Sequence, residues 1–292
     1  MKLAVVSFVF FISSFSVAAT KVSQNLSPNG GESEILLGVA YLYQKAGVDT
    51  IGEAKLNGYA VIGSYYYGTT DEHAFGVTLG YASSETKMDY VSATDITTKS
   101  KGLTDIRVGY KGTYGRDNIT FFTNMALSLP TEKRKFNEDK NEDNVSTGRI
   151  TPHVEAGLVN AKENVSFGAL VALDFPFEGD AENTESGMTT AGKSSGGSKV
   201  KLATFVEFNN IAHPNIELSY NSTDSTTYKF GTTTRRYSDI KMASLNVSGR
   251  FEIVPGFELL PEAQYNRLMN KQDLQIDTYE DYGFGLAGRF VF

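Results

Sequence analysis

Three histidines, His73, His153 and His213, are the only imidazoles in this 292-residue chain, and it has no cysteine. Thiolate metal sites, cysteine nucleophiles and disulfide staples therefore lie outside its chemistry. A serine hydrolase needs a histidine poised beside its serine. No segment supplies that pair: His73 and His213 fall in predicted turns, and His153 falls on a predicted strand beside Glu155. A protease built from acidic pairs and a histidine at an outer rim is equally unsupported, because no histidine is expected on the loop side. The residues predict no enzyme, no catalytic site and no cofactor.

Two nucleotide- or hydrolase-like patterns overlap in one segment. Gly192-Lys193-Ser194-Ser195-Gly196 fits Gly-x-Ser-x-Gly, and Gly187 to Ser194 fits the phosphate-loop spacing. Both patterns need a tight strand-to-helix turn. Ser195-Gly196-Gly197-Ser198 cannot start a helix, so residues 183–198 are expected to be a flexible surface loop. The run Asp139-x-Asn141-x-Asp143 begins like a calcium loop. It then places Asn144 where glycine belongs and Ile150 where the bidentate glutamate belongs, which predicts a solvated loop and no metal site.

The other chemistry-bearing residues are charged side chains at alternate positions of apolar segments. They are Asp105, Arg107, Lys111, His153, Glu155, Asp174, Lys201, Glu207, Arg250, Glu252, Glu258, Glu262 and Arg289, with Asn124 and Gln264 at the same parity. Charges of both signs on one face of many strands could orient a polar solute and set ion preference. They could also form a salt-bridge plug. Arg107, Glu155, Arg250, Glu262 and Arg289 are expected near mid-strand or just to one side of it, where a constriction would lie.

The elements that must carry these residues are strands. Period-two alternation is widespread, as in Phe75-Gly76-Val77-Thr78-Leu79-Gly80-Tyr81, and no helical periodicity with caps is sustained in the body of the chain. Twelve segments emerge, near 34–45, 54–67, 73–83, 101–113, 118–129, 148–160, 164–176, 199–210, 215–222, 238–253, 257–267 and 281–292. Most have the length of a tilted strand crossing a bilayer. The lipid-facing side of 54–67 is ambiguous, because both its faces carry tyrosines and aliphatics.

Connections alternate between short and long. Short ones are 68–72, 114–117, 161–163, 211–214 and 254–256. Long polar ones are 46–53, 84–100, 130–147, 177–198, 223–237 and 268–280. A membrane barrel with short periplasmic turns and longer extracellular loops has this rhythm. Composition agrees: 40% hydrophobic residues rule out a helical membrane bundle, and 12% aromatics rule out disorder. A net charge of −7 and a pI near 5.1 argue against a nucleic-acid partner. The negative mean hydropathy of −0.24 fits strands of which only one face meets lipid.

At the N-terminus, Met1-Lys2 precedes an apolar stretch from Leu3 to Phe15 and the small residues Ser16-Val17-Ala18-Ala19, the layout of a signal peptide cut near Ala19. The predicted organisation is a signal peptide over 1–19, a periplasmic segment over 20–33 and a transmembrane β-barrel over 34–292. The fold class is all-β, a single antiparallel barrel of about twelve strands.

The C-terminal segment Tyr282-Gly283-Phe284-Gly285-Leu286-Ala287-Gly288-Arg289-Phe290-Val291-Phe292 resembles the final strand of Gram-negative outer-membrane β-barrel proteins. That resemblance makes Phe290 and Phe292 the assembly signal read by the barrel-assembly machinery. A glycine favoured by the pattern is replaced here by Ala287. A smaller similarity, Ala126-Leu127-Ser128-Leu129-Pro130-Thr131, is to transporter-type barrels of the MetA-pathway phenol-degradation kind. Together these imply an outer-membrane location, with lipid, lipopolysaccharide and small solutes as partners. The expected function is a porin-like channel for passive diffusion; the alternative is a non-conducting surface protein whose loops bind or adhere.

Overall fold

The computed structural model describes residues 28–48, 52–91, 94–116, 118–210, 212–271, 274 and 276–292. The signal-peptide expectation falls on residues outside these. Alternation of side chains across a pleated strand dictates the architecture: one face of each strand is apolar and the other small or polar, so the strands pair edge to edge until the sheet closes.

Twelve antiparallel strands form the wall. They are β1 (Ser33–Val48), β2 (Gly52–Thr70), β3 (His73–Tyr90), β4 (Ile106–Arg116), β5 (Ile119–Leu129), β6 (Thr151–Ala161), β7 (Val165–Asp174), β8 (Lys199–Phe208), β9 (Asn215–Thr223), β10 (Ile240–Ser248), β11 (Phe257–Leu268) and β12 (Thr278–Val291). Each pairs with the next, and β12 pairs with β1 from Glu34–Val291 to Gly47–Thr278, closing the barrel. All twelve sequence-predicted segments coincide with these strands.

Two strands are interrupted. The segment Ile96–Leu103 extends β4 along β3, and the break at Thr104-Asp105 lets Leu103 and Ile106 both face outward. The segment Phe251–Val254 extends β10 beyond Gly249-Arg250 and pairs with the start of β11. At Thr104-Asp105 the register with β3 shifts by one residue, a bulge that moves the outward positions from odd to even numbers, whereas across Gly249-Arg250 the register with β11 is unchanged.

The outer surface is a continuous apolar belt: Leu37, Val39, Val61, Phe75, Val77, Phe121, Phe167, Leu218 and Phe284 are all exposed. Tyrosines border it at the loop end, where Tyr43, Tyr282 and Tyr265 stand on three adjacent strands; Tyr43 stacks on Tyr282, and Tyr265 packs against Tyr282 at a tilt. The ambiguity at 54–67 resolves cleanly. Tyr59, Val61, Tyr65 and Tyr67 face out, whereas Leu56 and Ala60 are buried inside.

The long connections correct the loop expectation. Residues 183–198 are not a flexible loop but most of a β-hairpin, Gly179–Glu185 with Met188–Gly196. Its β-branched threonines suit a ladder. Ser186 and Gly187 both take positive φ (52° and 73°), the geometry of a two-residue hairpin turn. A second hairpin, Thr226–Phe230 with Thr233–Tyr237, pairs alongside it, and Arg134–Asn137 pairs on its other side. Segment 84–100 is likewise largely strand.

These strands form a collar whose inner face is an aromatic core of Phe136, Ala181, Tyr228, Phe230 and Tyr237. The 136–144 run is part of it and is not merely solvated. Asp139 accepts backbone N–H bonds from Ser186 (2.6 Å) and Gly187 (2.7 Å), and Glu138 pairs with Arg235. Burial holds the Tyr237 hydroxyl proton on, pushing its pKa up to about 12.

Candidate functional site

The inner face of the barrel gathers charges because the alternation leaves them no other place to go. Toward the short-turn end, one chain of ion pairs and hydrogen bonds runs around and across the interior. Lys111 on β4 reaches Glu34 on β1 (3.1 Å), and Arg289 on β12 donates to Glu34 through Nε (2.9 Å), with Nη2 in ion-pair contact at 2.8 Å. Arg289 also donates to Glu258 on β11 (2.9 Å), which accepts from Arg250 (3.0 Å). Arg250 then meets His213 in the β8–β9 turn (3.1 Å), and His213 lies 3.7 Å from Glu207 on β8.

The Lys111 ammonium reaches past β3 and β2 to β1 because Tyr66 lies flat beneath it, 4.3 Å from the ring centre. Tyr66 can lie flat only because Gly76 and Gly109 have no side chains, since a β-carbon at Gly76 would run into the ring. Desolvation and the neighbouring Arg250 charge hold the His213 imidazole below its ordinary pKa, so this turn favours the neutral ring.

Midway along β5 to β8 the interior is apolar. Phe122, Val159, Leu170, Ala172, Ala203 and Phe205 form one buried cluster. Phe122 packs over Gly157 and Phe205 over Gly168, so both rings lie against the wall. Polar groups flank the cluster: Asn124 donates to Glu155 (2.7 Å), Lys201 pairs with Glu217 (2.8 Å), and Asn246 donates to Glu262. Asp281 is fully buried near the loop end and accepts from Gln44 (2.9 Å), Asn266 (3.0 Å) and Tyr279 (2.8 Å).

At the loop end, His153 Nδ1 lies 2.6 Å from Asp174 Oδ1, and Asp174 is the cross-strand neighbour of Lys199. Arg107 projects from β4 on the same inner face. Asp105, in the break before β4, accepts from Ser146 Oγ (2.7 Å) and the Thr147 N–H (3.2 Å). Arg149 is buried just above, donating to the carbonyls of Phe177 (2.7 Å) and Pro176 (2.9 Å).

The predicted inward set therefore divides in three. Lys111, Glu207, Arg250, Glu258 and Arg289 join one network toward the turn end; Arg250 and Arg289 are the two of these expected near mid-strand or just to one side of it. Glu155, Lys201 and Glu262 lie midway. Asp105, Arg107, His153 and Asp174 lie toward the loop end, which corrects the expectation that no histidine is found there. Glu252 is exposed at the turn end, opposite Glu258 in the register. Sequence reasoning missed Glu34, Arg149, Lys199, Glu217 and Asp281. Parity could have placed Glu217, which alternates with the outward Ile216, Leu218 and Tyr220. Of the terminal aromatics, Phe290 stacks on Phe257 at 4.5 Å between centroids. The Phe292 backbone is tied to Ser33 by bonds of 2.7 and 3.0 Å. Among the described residues, no group of three His, Asp or Glu side chains could hold a metal ion.

A closed antiparallel barrel of twelve strands, apolar outside and charged within, defines the outer-membrane β-barrel class of fold. Solved structures agree on the fold. The COG4313 outer membrane channel from Pseudomonas putida F1 superimposes with a TM-score of 0.64 at 11% identity, covering 92% of this chain and 98% of that one. The TodX monoaromatic hydrocarbon channel, in a deltaS2 mutant, gives 0.53 at 10% identity, with 94% and 92% covered. The Ralstonia pickettii toluene transporter TbuX gives 0.50 at 11% identity, with 90% of each chain covered. No known sequence family and no curated protein matches the chain.

Proposed function

We propose that this protein is a channel of the bacterial outer membrane through which small solutes diffuse passively. The observation that carries the reading is the inner face. Arg107, His153, Glu155, Asp174 and Lys201 keep part of their surface accessible while standing on the inside of a closed wall. A charge whose exposed surface faces the interior of a barrel is wetted by water in that interior, since burying it dry would cost several kcal/mol by rough estimate. Opposed charges along such a passage set ion preference. The apolar belt and tyrosine border suit a bilayer. The short-turn end would then face the periplasm and the collar the cell exterior, beside lipopolysaccharide. On this reading Phe290 and Phe292 guide assembly, and the chain is exported by its N-terminal segment.

The ordered collar favours a second reading, a surface protein whose exterior binds a partner without conducting. Planar-bilayer recording separates the two. Steady unitary openings in potassium chloride with a mild cation preference are expected for the channel. A folded barrel, shown by different gel mobility before and after boiling, that stays electrically silent would exclude it.

A further inference from the structure

The β8–β9 turn holds an imidazole where the backbone would more readily hold glycine. His213 takes a φ of 37°, a left-handed conformation that costs free energy for a residue with a β-carbon, and Pro214 restricts it further. Such strain persists only where surrounding contacts over-determine it. The contacts are present. The His213 N–H bonds the Asn210 carbonyl (3.0 Å), the Ala212 N–H bonds the Asn210 side chain (3.1 Å), and the Ala212 carbonyl accepts from the Arg250 N–H (2.8 Å). The ring then stands between opposite charges. Arg250 Nη2 lies 3.1 Å from His213 Nδ1, and Glu207 Oε1 lies 3.7 Å from the same nitrogen.

A guanidinium has no lone pair to offer, so the Arg250 contact requires Nδ1 to accept and the ring proton to sit on Nε2. Protonating Nδ1 removes that acceptor and sets a second cation against the guanidinium. It also makes Glu207 the favoured partner. The charged groups facing the ring are Glu207 from β8, Arg250 from the break after β10, and Glu258 from β11. Glu258 is itself shared by Arg250 and Arg289. The His213 side chain keeps 29% of its surface, so protons reach it. Carboxylates ordinarily titrate near about 4.3, so in mild acid the imidazole is the group that changes charge.

We propose that His213 is an acid-released latch: the neutral ring ties the β8–β9 turn to Arg250, and the protonated ring lets go of Arg250 and turns to Glu207. The latched turn favours the neutral ring, so the open turn takes up a proton first. The latch therefore holds above about pH 6.5 and gives way as pH falls below it. In a channel, the added cation at the turn end lowers the local concentration of cations, so acid weakens cation preference. That consequence rests on the channel reading, whereas the latch itself does not.

Amide hydrogen exchange on the folded barrel in detergent reads the latch directly. Between about pH 7.5 and about pH 5, corrected for intrinsic exchange, protection of the Arg250 and His213 amides should fall at least about fivefold. His213→Gln should keep its protection across that range, because its side-chain carbonyl can accept from Arg250 and takes up no proton. His73→Gln, at an imidazole packed on Tyr110 and Tyr114 outside this network, should respond as the native protein does. Heat-modifiable gel mobility establishes that each variant is folded. Unchanged protection in the native protein, or an equal loss in the folded His213→Gln variant, would overturn the latch. In a bilayer, acidifying the turn side should lower the cation preference of the native channel more than that of His213→Gln. Reversal potentials that move equally in both would overturn the effect on ion preference. An electrically silent barrel that still loses protection through His213 would sink the channel reading alone.

Discussion

Arg289 donates a hydrogen bond from Nε to Glu34 Oε2, 255 residues away along the chain, and its Nη2 lies 2.8 Å from the same oxygen. The two sit on the strands that close the barrel, and both are nearly buried. Each has one further ion-pair partner, Lys111 for Glu34 and Glu258 for Arg289. Removing the guanidinium leaves a buried carboxylate with half its compensation, a loss of about 3 kcal/mol. Arg289→Ala should therefore lower the urea midpoint of the folded barrel, and Glu34→Gln should lower it by less. A loss under about 1 kcal/mol for Arg289→Ala would show that the network contributes little to closure.

Gly157 and Phe122 make a second testable pair. A β-carbon at Gly157 would run into the Phe122 ring and into the carbonyl of Ala169. Gly157→Ala should destabilise the barrel by about 1–3 kcal/mol through overpacking. Phe122→Ala alone opens a cavity and should cost about 3–5 kcal/mol. If the ring is the main obstacle, the double variant will be more stable than the sum of the single losses predicts. Strict additivity in urea unfolding would place the cost on the Ala169 carbonyl.

The strands were legible because period-two alternation survives in every wall segment and because turn and loop lengths alternate. Two things were not legible, for physical reasons. The break at Thr104-Asp105 adds one residue to the strand and moves the outward positions from odd numbers (Leu103) to even ones (Ile106), a shift that reading 101–113 as one strand conceals. The collar strands at 179–196 are rich in Gly, Ser and Thr, a composition that also describes a loop. Only pairing with 226–230 and 134–137 makes them a sheet. Within the lumen, parity gives the inward face but not the partner. Nothing local to Lys111 says that it will reach Glu34, because that contact depends on closure and on Tyr66 lying over two glycines.

The collar carries a pH prediction. Tyr237 is buried against Tyr228, 5.6 Å between ring centroids, and its hydroxyl pKa is raised to about 12. An unfolded tyrosine ionises near 10, so between these values the open hairpin loses its proton and the packed one does not. Stability is fully present below about pH 10 and falls as pH rises toward 12, by about 2–3 kcal/mol at most. Proteolysis within residues 226–237 should therefore accelerate over that window, and Tyr237→Phe should blunt the acceleration. Tyr228, shifted upward by the same burial, would account for what remains. A cleavage rate as steep in the variant as in the native protein would place the alkaline weakness elsewhere.

Glu262 and Arg250 test the charge layout of the lumen from opposite signs. Glu262 lies midway on β11, held by Asn246, while Arg250 stands at the turn end between Glu258 and His213. Neutralising an acid in a passage lowers the local concentration of cations, and neutralising a base raises it. Glu262→Gln should therefore reduce the cation preference, and Arg250→Ala should increase it. The effect of Arg250→Ala should be the smaller, because Glu258 keeps Arg289 as a partner and shares its charge there. The check is the reversal potential under a tenfold potassium chloride gradient. Shifts in opposite directions support an ion path past both residues. Unchanged potentials in both folded variants would remove these two side chains from it.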